Sequence, residues 1–162
     1  MIHILQTGMG KRFFQVNAVP GPEAFREKLK ELGFKATPQR MAVHEAMLEL
    51  VHASADMVAG LIAAKSSTGV TVSSVYNILS GMSDMGIYAR RLSPESKMWF
   101  DVNPSPHIHA YDSEKGEYID IINDELMKSL EDRLKRTRIK GYRIERSDIQ
   151  LICRPSRKTI KK

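Results

Sequence analysis

Residues Ser73–Val102 read SSVYNILSGMSDMGIYARRLSPESKMWFDV, and their hydrophobic period changes once, at Gly86. Before it, Val75, Ile78, Leu79, Met82 and Met85 recur at helical spacing, which predicts a helix from about Ser73 with one apolar stripe and a glycine stop. The opposite stripe, Ser73, Tyr76, Asn77 and Ser80, is small and polar, and Asp84 at its far end is the residue there that would repel phosphate. After Gly86 the apolar residues fall into two short runs, Ile87–Leu92 and Met98–Val102. Ser93-Pro94-Glu95-Ser96-Lys97 lies between them, which predicts a hairpin. Upstream, Ala55–Lys65 predicts a helix followed by the breaker Ser66-Ser67-Thr68-Gly69. Thr37 suits an N-cap with Pro38 at the first helical position, and Val43, Met47, Leu50 and Val51 continue that helix. Pro22–Leu32 predicts a charged helix stopped by Gly33. Three helices followed by a hairpin is the plan of a winged helix, here preceded by the charged helix Pro22–Leu32, and the fold class expected for the chain is α+β.

Working downstream, Asn103-Pro104-Ser105-Pro106 predicts a short stiff linker, because two prolines favour extended backbone and block regular pairing. A second domain is then expected from His107 to Pro155: strand His107–Tyr111, turn, strand Glu117–Ile122, helix Asp124 to about Lys140 with the stripe Leu126, Leu130 and Leu134, and a last strand near Ile149–Cys153. About fifty residues rarely bury enough surface to be stable alone, so a dimer interface is expected to supply the missing burial. The full division is an N-terminal extension over 1–21, a winged-helix domain over 22–102, the linker over 103–106, a small α/β domain over 107–155 and a basic tail over 156–162.

Composition narrows the function classes. The chain has 162 residues, 42% of them apolar, which is enough for a core. No apolar run approaches the roughly 20 residues of a membrane helix, and Met1–Phe14 lacks the pattern of a signal peptide, so no membrane association and a cytoplasmic location are expected. Cys153 is the single cysteine, which excludes an internal disulfide and a four-thiolate zinc site. The net charge of +6 includes five cations from Arg154 onward, Arg154, Arg157, Lys158, Lys161 and Lys162, and 6 minus 5 leaves only +1 elsewhere. The case for nucleic acid therefore rests on pattern rather than charge.

His107 and His109 are two apart in a predicted strand and so share a face. With Ser113–Gly116 as the turn, Tyr111 pairs with Tyr118 and His109 falls opposite Asp120, close enough for both to reach one metal ion. Two histidines on a strand also occur as solvated surface residues, and the spacing alone leaves both readings open. If the set is a site, imidazole and carboxylate donors suit Fe(II), Mn(II), Zn(II) or Co(II), and the lack of sulfur argues against Cu(I) or a cluster.

Four blocks of sequence, in order, select the wider set: Gly33-Phe-Lys-Ala-Thr-Pro-Gln-Arg40, His52-Ala-Ser-Ala-Asp56, Val72-Ser-Ser-Val-Tyr-Asn-Ile-Leu79, and Phe100-Asp101 with His107-Ile-His109. From Glu23 to Arg154 the chain resembles the ferric uptake regulator family. The resemblance implies a homodimeric, metal-dependent transcriptional repressor with a winged-helix DNA-binding domain and an α/β dimerisation domain, binding AT-rich palindromic operators in double-stranded DNA. It implies that His52, expected at the end of the second helix, and Asp101 join His107, His109 and Asp120 around one Fe(II) or Mn(II), with Zn(II) possible in vitro. Ligands drawn from both domains would let metal occupancy set the angle between them. Aspartate at both carboxylate positions is similar to the peroxide-sensing branch, in which iron and peroxide lead to oxidation of a ligand histidine, here His52 or His107. An iron- or manganese-responsive uptake regulator without peroxide sensing is the alternative.

The departures from the family are as informative. Its structural zinc is held by two Cys-x-x-Cys pairs, and the corresponding positions here are Asp112 and Lys115, then Cys153 and Ser156, so no structural zinc is expected and Cys153 is read as a buried, unreactive strand residue. Ile108 stands where relatives with a further metal site place an acid. By resemblance, Tyr76 and Asn77 enter the major groove and Lys35 reaches toward the minor groove. Ser73 and Ser74 near the helix N-terminus can bind phosphate, and Arg40, Arg90 and Arg91 are candidates for backbone contact. Without the family, Tyr76 reads equally well as half-buried core and the serines as a solvated face. A small metalloenzyme is the rival from another class; it lacks a general base beyond the ligands, since His3 falls in the extension and His44 lies mid-helix, where a surface or packing role is expected rather than a ligand role. A metal-independent winged-helix protein is the third reading.

Overall fold

The computed structural model describes residues 19–65, 67–145 and 147–156. The expected basic tail from 157 onward, and the expected extension as far as 18, lie outside the described residues. The chain divides into two compact units, Met1–Ser105 and Pro106–Lys162.

In the first unit, α1 (Pro22–Glu31) and α2 (Pro38–Leu50) precede a two-residue strand, β1 (His52–Ala53), followed by α3 (Ala55–Lys65), α4 (Val72–Asp84), β2 (Ala89–Leu92) and β3 (Met98–Asp101). Thr37 caps α2 by accepting the Arg40 N–H at 3.3 Å, with Pro38 preset for the first turn. Thr71 and Ser74 form a reciprocal capping box that starts α4, and Gly86, at φ +72°, lets the chain turn out of it. Phe25, Leu29, Val43, Met47, Val58, Val75, Leu79 and Phe100 are fully buried and fill the space between the helices and the sheet. That sheet has the order β1-β3-β2, all antiparallel.

β1 corrects the sequence reading, which ends the second helix at His52. Val51 stands at φ +61°, an unfavourable conformation for a β-branched residue, and it breaks the helix so that His52 and Ala53 run extended. The turn is held by the Val51 N–H donating to Met47 O at 2.9 Å and by Val51 O accepting the Val102 N–H at 3.0 Å. A strand of two residues carries no periodicity to read; it exists because the edge of β3 is there to pair with it.

In the second unit, β4 (Ile108–Asp112), β5 (Glu117–Ile121), α5 (Asp124–Arg136) and β6 (Ile149–Cys153) build a sheet of order β5-β4-β6, with β4 antiparallel to β5 and parallel to β6. Asn123 caps α5 through the Leu126 N–H at 2.9 Å. The helix ends at Arg136 rather than near Lys140: Thr137 is extended, and Gly141 at φ +83° closes a turn in which Ile139 bridges Tyr142. No residue of α5 is buried. Cys153, expected to be buried, is exposed, because β6 pairs with β4 along one edge only and the outer part of the strand is uncovered.

Candidate functional site

The β1–β3 register sets His52 directly opposite Asp101. His52 Nε2 lies 3.5 Å from Asp101 Oδ2, and both side chains are buried. The Asn103 N–H donates to Asp101 Oδ1 at 2.8 Å, which fixes the plane of the carboxylate. Arg91 Nη2 lies 3.8 Å from the same Oδ2. Arg91 was expected as a contact to the DNA backbone, and its burial corrects that: the β2–β3 register pairs Ala89 with Asp101 and Arg91 with Trp99, so Arg91 and Asp101 are diagonal neighbours on one face. Strand alternation through Ala89 and Arg91 was the signal that could have found this.

In the second unit, the β4–β5 register pairs Tyr111 with Tyr118 and His109 with Asp120, as the turn position predicts. His107 precedes β4 by one residue rather than starting it. His107 Nε2 is 3.0 Å and His109 Nε2 3.4 Å from one carboxylate oxygen, Asp120 Oδ1, and the two imidazole centroids are 4.0 Å apart. His109 and Asp120 are buried and His107 partly so. Each of the three offers a ligand atom within 4.8 Å of the others. Two imidazoles focused on one buried carboxylate fit a divalent ion of intermediate softness; the nitrogens must present lone pairs, so binding would displace the proton through which His107 hydrogen-bonds Asp120 in its absence.

The α4 surface carries the candidate DNA contacts. Ser73 and Asn77 are exposed and Tyr76 is 41% exposed, its ring edge-on to Phe100 at 5.8 Å, so Tyr76 belongs half to the core and half to the surface. Ser74 spends its hydroxyl locally, accepting the Thr71 N–H at 3.0 Å and donating to Thr71 O at 2.9 Å. Lys35 is exposed, and Arg40 donates to Lys35 O at 2.7 Å while lying over the Phe34 ring, which orders the Gly33–Thr37 loop. Arg90 pairs with Asp84 at 3.0 Å. That pair offsets the one acid on the α4 face.

The sequence profile of the ferric uptake regulator family matches residues 31–151. The chain belongs to this family. Its members are metal-responsive transcription regulators that bind DNA and function as dimers, and they are not enzymes, which sets the metalloenzyme reading aside. The family also gives the two units their kinds, an N-terminal winged-helix DNA-binding domain and a C-terminal dimerisation domain. No curated protein sequence matches the chain significantly. Among solved structures, the ferric uptake regulator of Vibrio cholerae is similar with a TM-score of 0.66 at 20% identity, over 81% of this chain and 99% of that one. The regulator of Pseudomonas aeruginosa, solved with manganese, has a TM-score of 0.64 at 21% identity, over 80% and 96%. That of Helicobacter pylori, described as having three functional metal binding sites, has a TM-score of 0.64 at 18% identity, over 83% and 91%. At these identities the likeness is one of fold. Among the described residues of this family member no helix is long and apolar enough to cross a membrane.

Proposed function

We propose that this regulator is a repressor activated by one divalent ion, Fe(II) or Mn(II) with Zn(II) as an in vitro substitute, held by His52, Asp101, His107, His109 and Asp120, and that peroxide is its signal. The observation that carries the reading is the convergence of His107 and His109 on a single oxygen of Asp120, with His52 and Asp101 opposed in the other unit. A bound iron would supply a one-electron reductant for peroxide beside the ligand histidines. The chain's own part is to present imidazole lone pairs, to hold its aspartates without freely moving water, and to place His52 or His107 where oxidation destroys a ligand. An ion drawing ligands from both segments couples the dimerisation domain to the winged helix.

For DNA, α4 enters the major groove, with Tyr76 against a thymine methyl and Asn77 on an adenine edge. Ser73, Ser74 and Arg40 take phosphates and Lys35 reaches the minor groove. A homodimer reading two half-sites makes the operator a palindrome, AT-rich in this reading.

The test is operator binding by the purified chain with Fe(II), Mn(II) or Zn(II) in turn, with and without peroxide, followed by mass spectrometry of His52 and His107. Loss of binding with iron and peroxide but not with manganese and peroxide, together with one added oxygen on a histidine, is the expected result. Binding that survives iron and peroxide would leave an iron- or manganese-responsive uptake regulator, and binding indifferent to chelator would end the metal reading altogether.

A further inference from the structure

The winged-helix unit supplies its carboxylate ligand with a cation of its own. Asp101 is 1% exposed, and a carboxylate so far from water needs a counter-charge or a full set of donors. Its Oδ1 is taken by the Asn103 N–H, which turns Oδ2 toward His52 Nε2 at 3.5 Å and Arg91 Nη2 at 3.8 Å. The Arg91 side chain is 6% exposed, so its guanidinium is committed to this interior and not to solvent.

We infer that Arg91 is a resident counter-cation that competes with the divalent ion for Asp101 Oδ2 and so sets the metal concentration at which the site fills. The inference rests on the assignment of His52 and Asp101 as ligands proposed above. A guanidinium has five donors and no lone pair, so it cannot coordinate a metal and acts on one only through its charge. It stands 3.8 Å from the carboxylate oxygen that faces His52, in a buried setting that screens little, and two cations beside one oxygen repel. Filling the site therefore brings a second cation up to an oxygen that the guanidinium already faces. In the metal-free chain the same charge stabilises Asp101, which never stands as a bare carboxylate in the core. Arg91 thus holds the apo state together and raises the metal threshold at once.

Calorimetric titration of the full chain with Mn(II) and with Zn(II), paired with thermal unfolding in chelator, tests this. Arg91→Gln is expected to tighten metal binding about tenfold, one decade in Kd, while lowering the melting temperature of the metal-free chain. Arg91→Lys keeps the charge and should stay near the wild-type affinity. A purely structural arginine predicts the opposite, an affinity that falls or stays level as stability is lost, and that result in Arg91→Gln overturns the inference. Should Arg91→Gln not fold without metal, Arg91→Met, which keeps the apolar stem, carries the same measurement. Asp101→Asn separates the two levels: if it binds metal as well as wild type, the ligand assignment fails and the inference with it. If it loses binding while the Arg91 variants do not change affinity, the assignment stands and the Arg91 inference alone falls.

Discussion

His44 is fully buried in α2, with its ring stacked on Phe25 at 3.8 Å. Nε2 lies 2.8 Å from Pro20 O, which can only accept, so Nε2 carries the hydrogen and Nδ1 accepts from the Tyr88 hydroxyl at 2.8 Å. Burial pushes the Tyr88 hydroxyl far up and keeps it a donor. Desolvation lowers the His44 pKa to about 4 from an ordinary 6.5, against a smaller opposing effect of the Pro20 carbonyl. The unfolded chain therefore takes up this proton at a higher pH than the folded one. The stability involved is complete above pH 6.5 and is lost as the pH falls toward 4, by up to about 3 kcal/mol. His44→Leu should flatten that acid limb in urea unfolding, while costing about 1–3 kcal/mol at neutral pH through the orphaned Tyr88 and Pro20 partners; an unchanged acid limb would reject the buried-neutral assignment. At the DNA face, Asn77→Ala is expected to weaken specific operator binding by about 1–3 kcal/mol and leave dimerisation intact. An unaltered footprint would remove α4 as the reading helix.

The elements of the dimerisation domain leave apolar surface uncovered in the single chain. Ile119 of β5 and Leu151 of β6 flank Ala110 of β4 on one face and are 40% and 45% exposed, and Leu126 of α5 is 42% exposed. Members of this family function as dimers, and a partner is what such a surface requires. Leu151→Glu should shift sedimentation from dimer to monomer at micromolar concentration, and an undisturbed dimer would locate the interface elsewhere. At the β4–β5 turn and the end of β6, hydrogen bonds tie the sheet together. Asp112 Oδ1 accepts the Glu114 and Lys115 N–H groups at 2.9 and 3.2 Å, and the Ser113 hydroxyl donates to Cys153 O at 3.1 Å. Asp112→Ala is expected to cost about 1 kcal/mol in denaturant unfolding. Long periodic elements were legible in the sequence, α3 to the residue, because a core-facing stripe and its caps are local. β1 and the early end of α5 were not, since one depends on a partner strand and the other on β-branched residues overriding a polar helical pattern.

At the scale of the whole molecule, the proposed site makes a demand that either unit alone would not. If one ion uses both sets of ligands, Asp101→Asn and Asp120→Asn should each abolish metal-stimulated operator binding, as should His107→Ala. A site confined to the second unit would survive Asp101→Asn. Metal at about 100 times its Kd should also raise the stability of the folded chain by about 2.7 kcal/mol, an increment removed by chelator. Differential scanning fluorimetry of wild type and the two aspartate variants reads the stability increment, and a metal-dependent operator-binding assay reads the first effect.

Local chemistry in the sequence decided the helices, the wing hairpin and the His109–Asp120 register, because apolar spacing, caps and turn length act over a few residues. The family match and its implied ligand set were likewise readable as ordered blocks of sequence. Tertiary structure decided the rest: that His52 leaves the helix to face Asp101 across a strand, that Arg91 turns inward to the same carboxylate, that His44 is sealed from water, and that Cys153 is not. Each of these depends on which distant strand or ring occupies the neighbouring space, and burial of a polar group is a property of that packing.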